Sequence, residues 1–176
     1  MPGSASTMMR MHPIMPLGDD MTIRPAVVSD APAVASVHVR TWQTAYRGLI
    51  PDSVLSTLSV EARTSMWERA IPSGGVWVAL ADDTVTGFAS AGPSRDDAAF
   101  ELYAIYVLSS AWGTGLGFGL MQAALAGQRD VIVWALESNT RARRFYERLG
   151  FRTDGAARTE TAGTTELEEV RYRRTA

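Results

Sequence analysis

The stretch SNTRARRFYERLGF, residues 138–151, sets a side-chain amide and a phenol seven positions apart, Asn139 and Tyr146. In a continuous helix, at 100° per residue, the two fall within about 20° of one face and about 10 Å apart along the axis. That spacing suits a long ligand held at one point by an amide and offered a hydroxyl proton at another. Upstream, the run WGTGLGFG puts glycine at every second position from Gly113 to Gly119. Glycine costs helix stability. What it gives at a helix start is access: the first N–H groups lack internal partners, the macrodipole is positive there, and an anion can reach main chain that carries no Cβ. Close packing of helix on strand is the alternative use of the same glycines. The dinucleotide fingerprint G-x-G-x-x-G is not met, because its third glycine would fall on Phe118, Leu120 or Gln122, so a Rossmann cofactor site is disfavoured.

Composition narrows the chemistry further. The chain has no cysteine, which excludes disulfides, thiolate metal sites and a cysteine nucleophile. All 17 basic residues are arginine, which removes the lysine of a phosphate-binding P-loop and any lysine Schiff base. His12 and His38 stand far apart, so no metal is expected. A net charge of −2 supplies no basic field for nucleic acid. Residues 1–20, rich in Met, Pro, Gly and Ser, read as a disordered tail. No apolar run is long enough for a signal sequence or a membrane span, so the expectation is a cytoplasmic protein with no membrane partner. With 176 residues, 46% of them hydrophobic, and five tryptophans, one domain over 21–176 is expected.

These residues need elements to hold them. Met21–Val28 reads as a first strand, followed by SDAP, where Ser29 or Asp30 caps a helix running to about Tyr46. Its residues Val34, Val37, Thr41, Trp42 and Ala45 form one stripe. Residues 52–58 and 60–71 are helical, and VWVALA and TVTGFASAG form a hairpin across Asp82 and Asp83. A long apolar run to Leu108 reads as a central strand. The glycine segment then opens a helix that Gly127 closes, VIVWAL is a buried strand, Gly150 ends the next helix, and residues 166–173 alternate as a last strand. The order β-α-α-β-β-β-α-β-α-β-β implies a mixed sheet with helices on both faces, an α/β (α+β) architecture.

Taken together, the glycine loop and the later Asn–Ala–Phe-Tyr–Gly-Phe pattern (Asn139, Ala142, Phe145, Tyr146, Gly150, Phe151) make residues 21–173 resemble the GNAT superfamily of acetyl-CoA-dependent N-acetyltransferases. The family loop reads (Arg or Gln)-x-x-Gly-x-(Gly or Ala). Gly115 and Gly117 match its small positions, while Trp112 departs from the basic or amide one. The resemblance implies a mostly antiparallel central sheet with a splayed pair of parallel strands that admits the pantetheine arm of acetyl-CoA, a cosubstrate. It places the pyrophosphate on Trp112, Gly113, Thr114, Gly115, Leu116 and Gly117. The arm would meet main-chain groups of Ile105 and Val107, the side chain of Asn139, and Phe145, with Tyr146 beside the sulfur as the catalytic hydroxyl. Glu101 matches the spacing of a catalytic glutamate in some members; on an alternating strand it equally reads as a residue facing solvent or paired with an arginine. Trp42 and Tyr46, one helical turn apart, wall the acceptor pocket or simply extend the core stripe. The expected activity is acetyl transfer to a primary amine of a small molecule by direct attack. A protein or peptide N-acetyltransferase and a non-catalytic acyl-CoA-binding module are the alternatives, and a homodimer is left open.

Overall fold

A computed structural model describes residues 20–162 and 165–175. The expected disordered tail lies, up to residue 19, outside the described residues, as does His12.

Seven strands join one sheet in the order β1-β2-β3-β4-β5-β7-β6: β1 (Met21–Pro25), β2 (Val76–Ala81), β3 (Thr84–Pro93), β4 (Phe100–Val107), β5 (Asp130–Leu136), β6 (Arg152–Ala162) and β7 (Thr165–Thr175). All neighbours run antiparallel except β4 and β5. Among the described residues five α-helices accompany them: α1 (Ala31–Ala45), α2 (Asp52–Leu55), α3 (Val60–Ala70), α4 (Leu116–Ala124) and α5 (Thr140–Arg148). None of these helices is long and apolar enough to cross a membrane.

Local chemistry explains the boundaries. The β2–β3 hairpin turns on Asp82 and Asp83, whose φ of 48° and 57° give the paired left-handed residues a tight hairpin needs. Before α1, the Asp30 carboxylate accepts from the Val27 N–H at 2.8 Å and takes both Arg24 guanidinium nitrogens at 2.7 and 2.9 Å. The second helical stretch is two helices because Ser59 caps the start of α3, its hydroxyl accepting from the Ala62 N–H at 3.2 Å.

The helices divide between the two faces. On one, α1 and α3 bury Val34, Val37 and Trp67 against Val78, Leu80 and Phe88. On the other, α4 and α5 bury Leu116, Leu120, Met121 and Tyr146 against Ala89, Leu102, Val131 and Val133. Helix α4 crosses so close to β3 that a Cβ on Gly87 would meet the Tyr106 carbonyl oxygen and Val107 Cγ2 at 3.0 Å and Leu120 Cδ1 at 3.3 Å. Gly87 thus sets how deeply α4 sits on the sheet.

Candidate active site

The parallel pairing of β4 with β5 covers only Phe100↔Val131, Glu101↔Ile132 and Leu102↔Val133. Beyond it, β4 continues to Val107 and β5 to Leu136 unpaired with one another, so the sheet opens into a wedge. On its other side β4 stays paired with β3 through Val107, and the Leu108 N–H donates to the Thr86 carbonyl at 2.8 Å. Antiparallel alternation then turns the main-chain groups of Ile105 and Val107 away from β3 and into the wedge. The Val107 carbonyl is already engaged by the Trp112 indole N–H at 2.8 Å. The groups left facing the opening are both polar groups of Ile105 and the Val107 N–H.

At one end of the wedge lies the glycine loop. Gly113 and Gly115 have φ of 81° and 89°, and a Cβ on either would project into open space. Gly115 is the N-cap of α4, with no side-chain cap and no acidic residue in the first turn. The first N–H groups of α4 are thus presented without a side-chain acceptor. Thr114 does not fill that role, since its hydroxyl donates back to the Ala111 carbonyl at 2.8 Å. Leu116 is fully buried and anchors the helix start in the core. A Cβ on Gly117 would lie 3.5 Å from the Phe145 ring, which places the start of α4 against that side chain of α5.

Asn139 precedes α5 and is not part of its helical face. It is the N-cap, and its Oδ1 accepts from the Ala142 N–H at 3.1 Å. The seven-residue helical spacing to Tyr146 therefore does not describe the pair: an N-cap has non-helical torsions, and the amide oxygen satisfies its own helix. Tyr146 lies in the last turn of α5, 6% exposed, with Phe145, Phe151 and Tyr172 ring centroids 5.6 to 6.0 Å away. Burial, reinforced by the neighbouring Tyr106 phenol and Glu169 carboxylate, pushes the Tyr146 hydroxyl above the usual phenol range.

Across the wedge, Trp42 and Tyr46 meet edge to face with centroids 4.9 Å apart. They pack with Ile50, Leu55, Leu136 and Leu167 in a small apolar cluster. Burial, together with the Tyr106 and Tyr146 phenols, holds Tyr46 well above its ordinary value. Three phenols, those of Tyr46, Tyr106 and Tyr146, thus converge with Glu169 where the wedge opens. Among the described residues, the Trp42 indole nitrogen is buried without a hydrogen-bond partner.

Glu101, in the paired part of β4, is 2% exposed, and both carboxylate oxygens bond Arg95, one of them also accepting the Arg95 main-chain N–H at 3.2 Å. Of the two readings open from sequence, the geometry displays the arginine pair. Tyr106 and Glu169 escaped the sequence reading. Tyr106 sits between two residues that face the opposite side of β4, and Glu169 is one of three glutamates in TELEEVRYRRT and lacks a motif of its own.

His38 is structural. It lies within an aromatic cage of Trp42, Trp67, Phe88 and Tyr106, with ring centroids 5.4 to 5.9 Å away, and its Nδ1 accepts from the Trp67 indole at 3.3 Å. Burial, and secondarily the Arg63 charge, lowers its pKa to about 4. Between pH 6.5 and 4 the unfolded chain therefore binds a proton that the folded one refuses, and stability present above 6.5 is lost as pH falls. Urea melts are expected to show a loss of about 3 kcal/mol over that window, since one proton of difference between the two states changes stability by about 1.36 kcal/mol for each pH step of one. The slope should flatten in His38→Gln, and an equal slope in both proteins would refute this assignment.

Residues 39–151 match the family model described as "Acetyltransferase (GNAT) family". The chain is 34% identical over 129 residues to the "Uncharacterized N-acetyltransferase YuaI" of Bacillus subtilis, covering 68% of this chain and 73% of that protein. It is 29% identical over 146 residues to the "Probable N-acetyltransferase Rv2775" of Mycobacterium tuberculosis, covering 77% and 82%. Its fold is similar to the crystal structure of the PaiA N-acetyltransferase of Thermoplasma acidophilum in complex with coenzyme A, with TM-score 0.67, 18% identity, and coverage of 89% and 99%. With its wedge-shaped sheet, its open glycine loop and a family match across both, the chain belongs to the GNAT family of acetyltransferases.

Proposed function

We propose that the protein transfers an acetyl group from acetyl-CoA to a primary amine of a small molecule, by direct attack with both substrates bound. The observation that carries this reading is the wedge between β4 and β5, with free main-chain donors at its glycine end and a protonated phenol buried beside it. The residues suit the cosubstrate. The open positions over Gly113 and Gly115 and the uncapped start of α4 fit a pyrophosphate. Ile105 offers both main-chain groups to an amide-bearing arm, and the Asn139 NH₂ remains available, since only its oxygen is used in capping. When bound, the thioester supplies an acyl group activated toward amines, and the absence of cysteine agrees with transfer that needs no covalent enzyme intermediate.

The protein's own groups do the rest. Tyr146 keeps its proton and offers it to the sulfur that departs. An amine of ordinary pKa about 10.4 costs about 4.6 kcal/mol to deprotonate at pH 7. The low-dielectric wall of Trp42, Tyr46 and Tyr106 lowers that cost by disfavouring the ammonium form. Leu167 of β7 packs onto the same cluster as Trp42 and Tyr46, which favours a small acceptor over a long peptide. Glu101, held by Arg95, supports β4 at the root of the wedge unless that pair opens.

The test is thiol release from acetyl-CoA against a panel of small primary amines and, in parallel, short peptides. Amine-dependent release with small amines supports the proposal. Release with peptides alone moves the assignment to a peptide acetyltransferase, and binding without release leaves an acyl-CoA-binding module.

A further inference from the structure

The position that carries a basic or amide side chain in the family loop is Trp112 here, and its side chain bonds the Val107 carbonyl. The indole is therefore fixed, and one of its faces is covered. The Arg141 guanidinium stacks over the ring with its central carbon 3.4 Å from the centroid, a distance at which cation and ring quadrupole attract. Arg141 forms no ion pair among the described residues. Stacking occupies the face of a guanidinium and leaves its edge donors free.

Its place in α5 makes the arrangement informative. Arg141 is in the first turn of α5, where a cation opposes the helix dipole. No acidic residue stands in the first turn of α5 or of α4 to offset it. The Arg141–Trp112 stack brings the first turn of α5 beside the loop that leads into α4. Positive charge therefore gathers from two helix ends and one arginine around a loop with open main chain. An anion placed there reverses the sign of each of these unfavourable terms.

We propose that Arg141, oriented by its stack on Trp112, is the cation that grips the pyrophosphate of coenzyme A, replacing from α5 the basic residue missing from the glycine loop. This rests on the coenzyme A reading above. Trp112 is then a positioning residue, and Arg141 a specificity residue for the phosphate-bearing part of the cosubstrate.

The experiment is calorimetric titration of wild type, Arg141→Ala and the double variant Trp112→Arg/Arg141→Ala with coenzyme A, 3′-dephospho-coenzyme A and pantetheine. Arg141 is exposed and capping of α5 rests on Asn139, so the variant keeps its fold. Charge-assisted hydrogen bonds of this kind give an expected loss of about ten- to a hundredfold in Arg141→Ala. The loss is equal for coenzyme A and its dephospho form and absent for pantetheine. The double variant, which returns an arginine to the loop, recovers at least half of the lost affinity on a logarithmic scale. Unchanged coenzyme A affinity in Arg141→Ala, a loss confined to the 3′-phosphorylated ligand, an equal loss for pantetheine, or no recovery in the double variant each overturns the proposal. Wild type that binds neither coenzyme A nor its dephospho form refutes the coenzyme A reading itself.

Discussion

Tyr146→Phe is expected to lower kcat at least tenfold while leaving the Kd for acetyl-CoA within about threefold and the fold intact. The substitution removes one oxygen from a ring held by Phe145, Phe151 and Tyr172, so the packing survives. The size of the effect follows from the environment of the hydroxyl. A thiol has an ordinary pKa of about 8.5, below that of a phenol and further below one raised by burial. Net proton transfer from Tyr146 to a thiolate is therefore uphill. A charge-assisted hydrogen bond contributes about 1.5–3 kcal/mol instead, which is about ten- to a hundredfold in rate. Because the phenol stays protonated across the usable range, turnover should rise with pH as the amine loses its proton, with no falling limb from Tyr146. Steady-state rates from pH 6 to 9.5 in both proteins check this. Equal turnover in the two would end the assignment of Tyr146 to the chemistry.

Gly115→Val is expected to weaken coenzyme A binding more than tenfold and to cost about 1–2 kcal/mol of stability. Its φ of 89° lies where a branched side chain is strained, and the new methyl groups stand in the space through which an anion reaches the start of α4. Gly117→Ala is the control. Its Cβ meets Phe145 at an ordinary 3.5 Å, and a helical glycine replaced by alanine gains about 0.5–1 kcal/mol. Titration calorimetry with urea melts separates the two effects. If Gly115→Val bound coenzyme A like wild type, the main chain of this loop would have no part in holding it.

How much was legible depended on whether the signal was local. The β2–β3 hairpin could be read because Asp82-Asp83 interrupts two β-rich runs, and the start of α4 because alternating glycines follow a strand-like run and lead into an apolar helical one. Tyr146 could be singled out as a candidate because its neighbours Phe145, Gly150 and Phe151 carry a pattern. What escaped depends on partners distant in the chain. Glu101 stayed between a catalytic reading and one facing solvent or paired with an arginine, because nothing in the sequence decides whether Arg95 folds back onto it across the β3–β4 connection. Helical spacing extended α5 back through Asn139, whereas the amide ends the strand-to-helix turn by capping. Arg141 and Trp112 are 29 positions apart, and only the folded packing of α5 against the glycine loop brings them into contact. Tyr106 and Glu169 reach the wedge from β4 and β7, strands that are not neighbours in the sheet.

The short ladder between β4 and β5 has a mechanical corollary. Strands β1–β4 and β5–β7 form two plates joined in the sheet by three residue pairs, the shortest ladder among the described strands. A guest lodged in the seam between them acts as a clamp. Part of its intrinsic attraction is then spent in stiffening the joint, and amides on both plates should exchange with deuterium more slowly once it is seated.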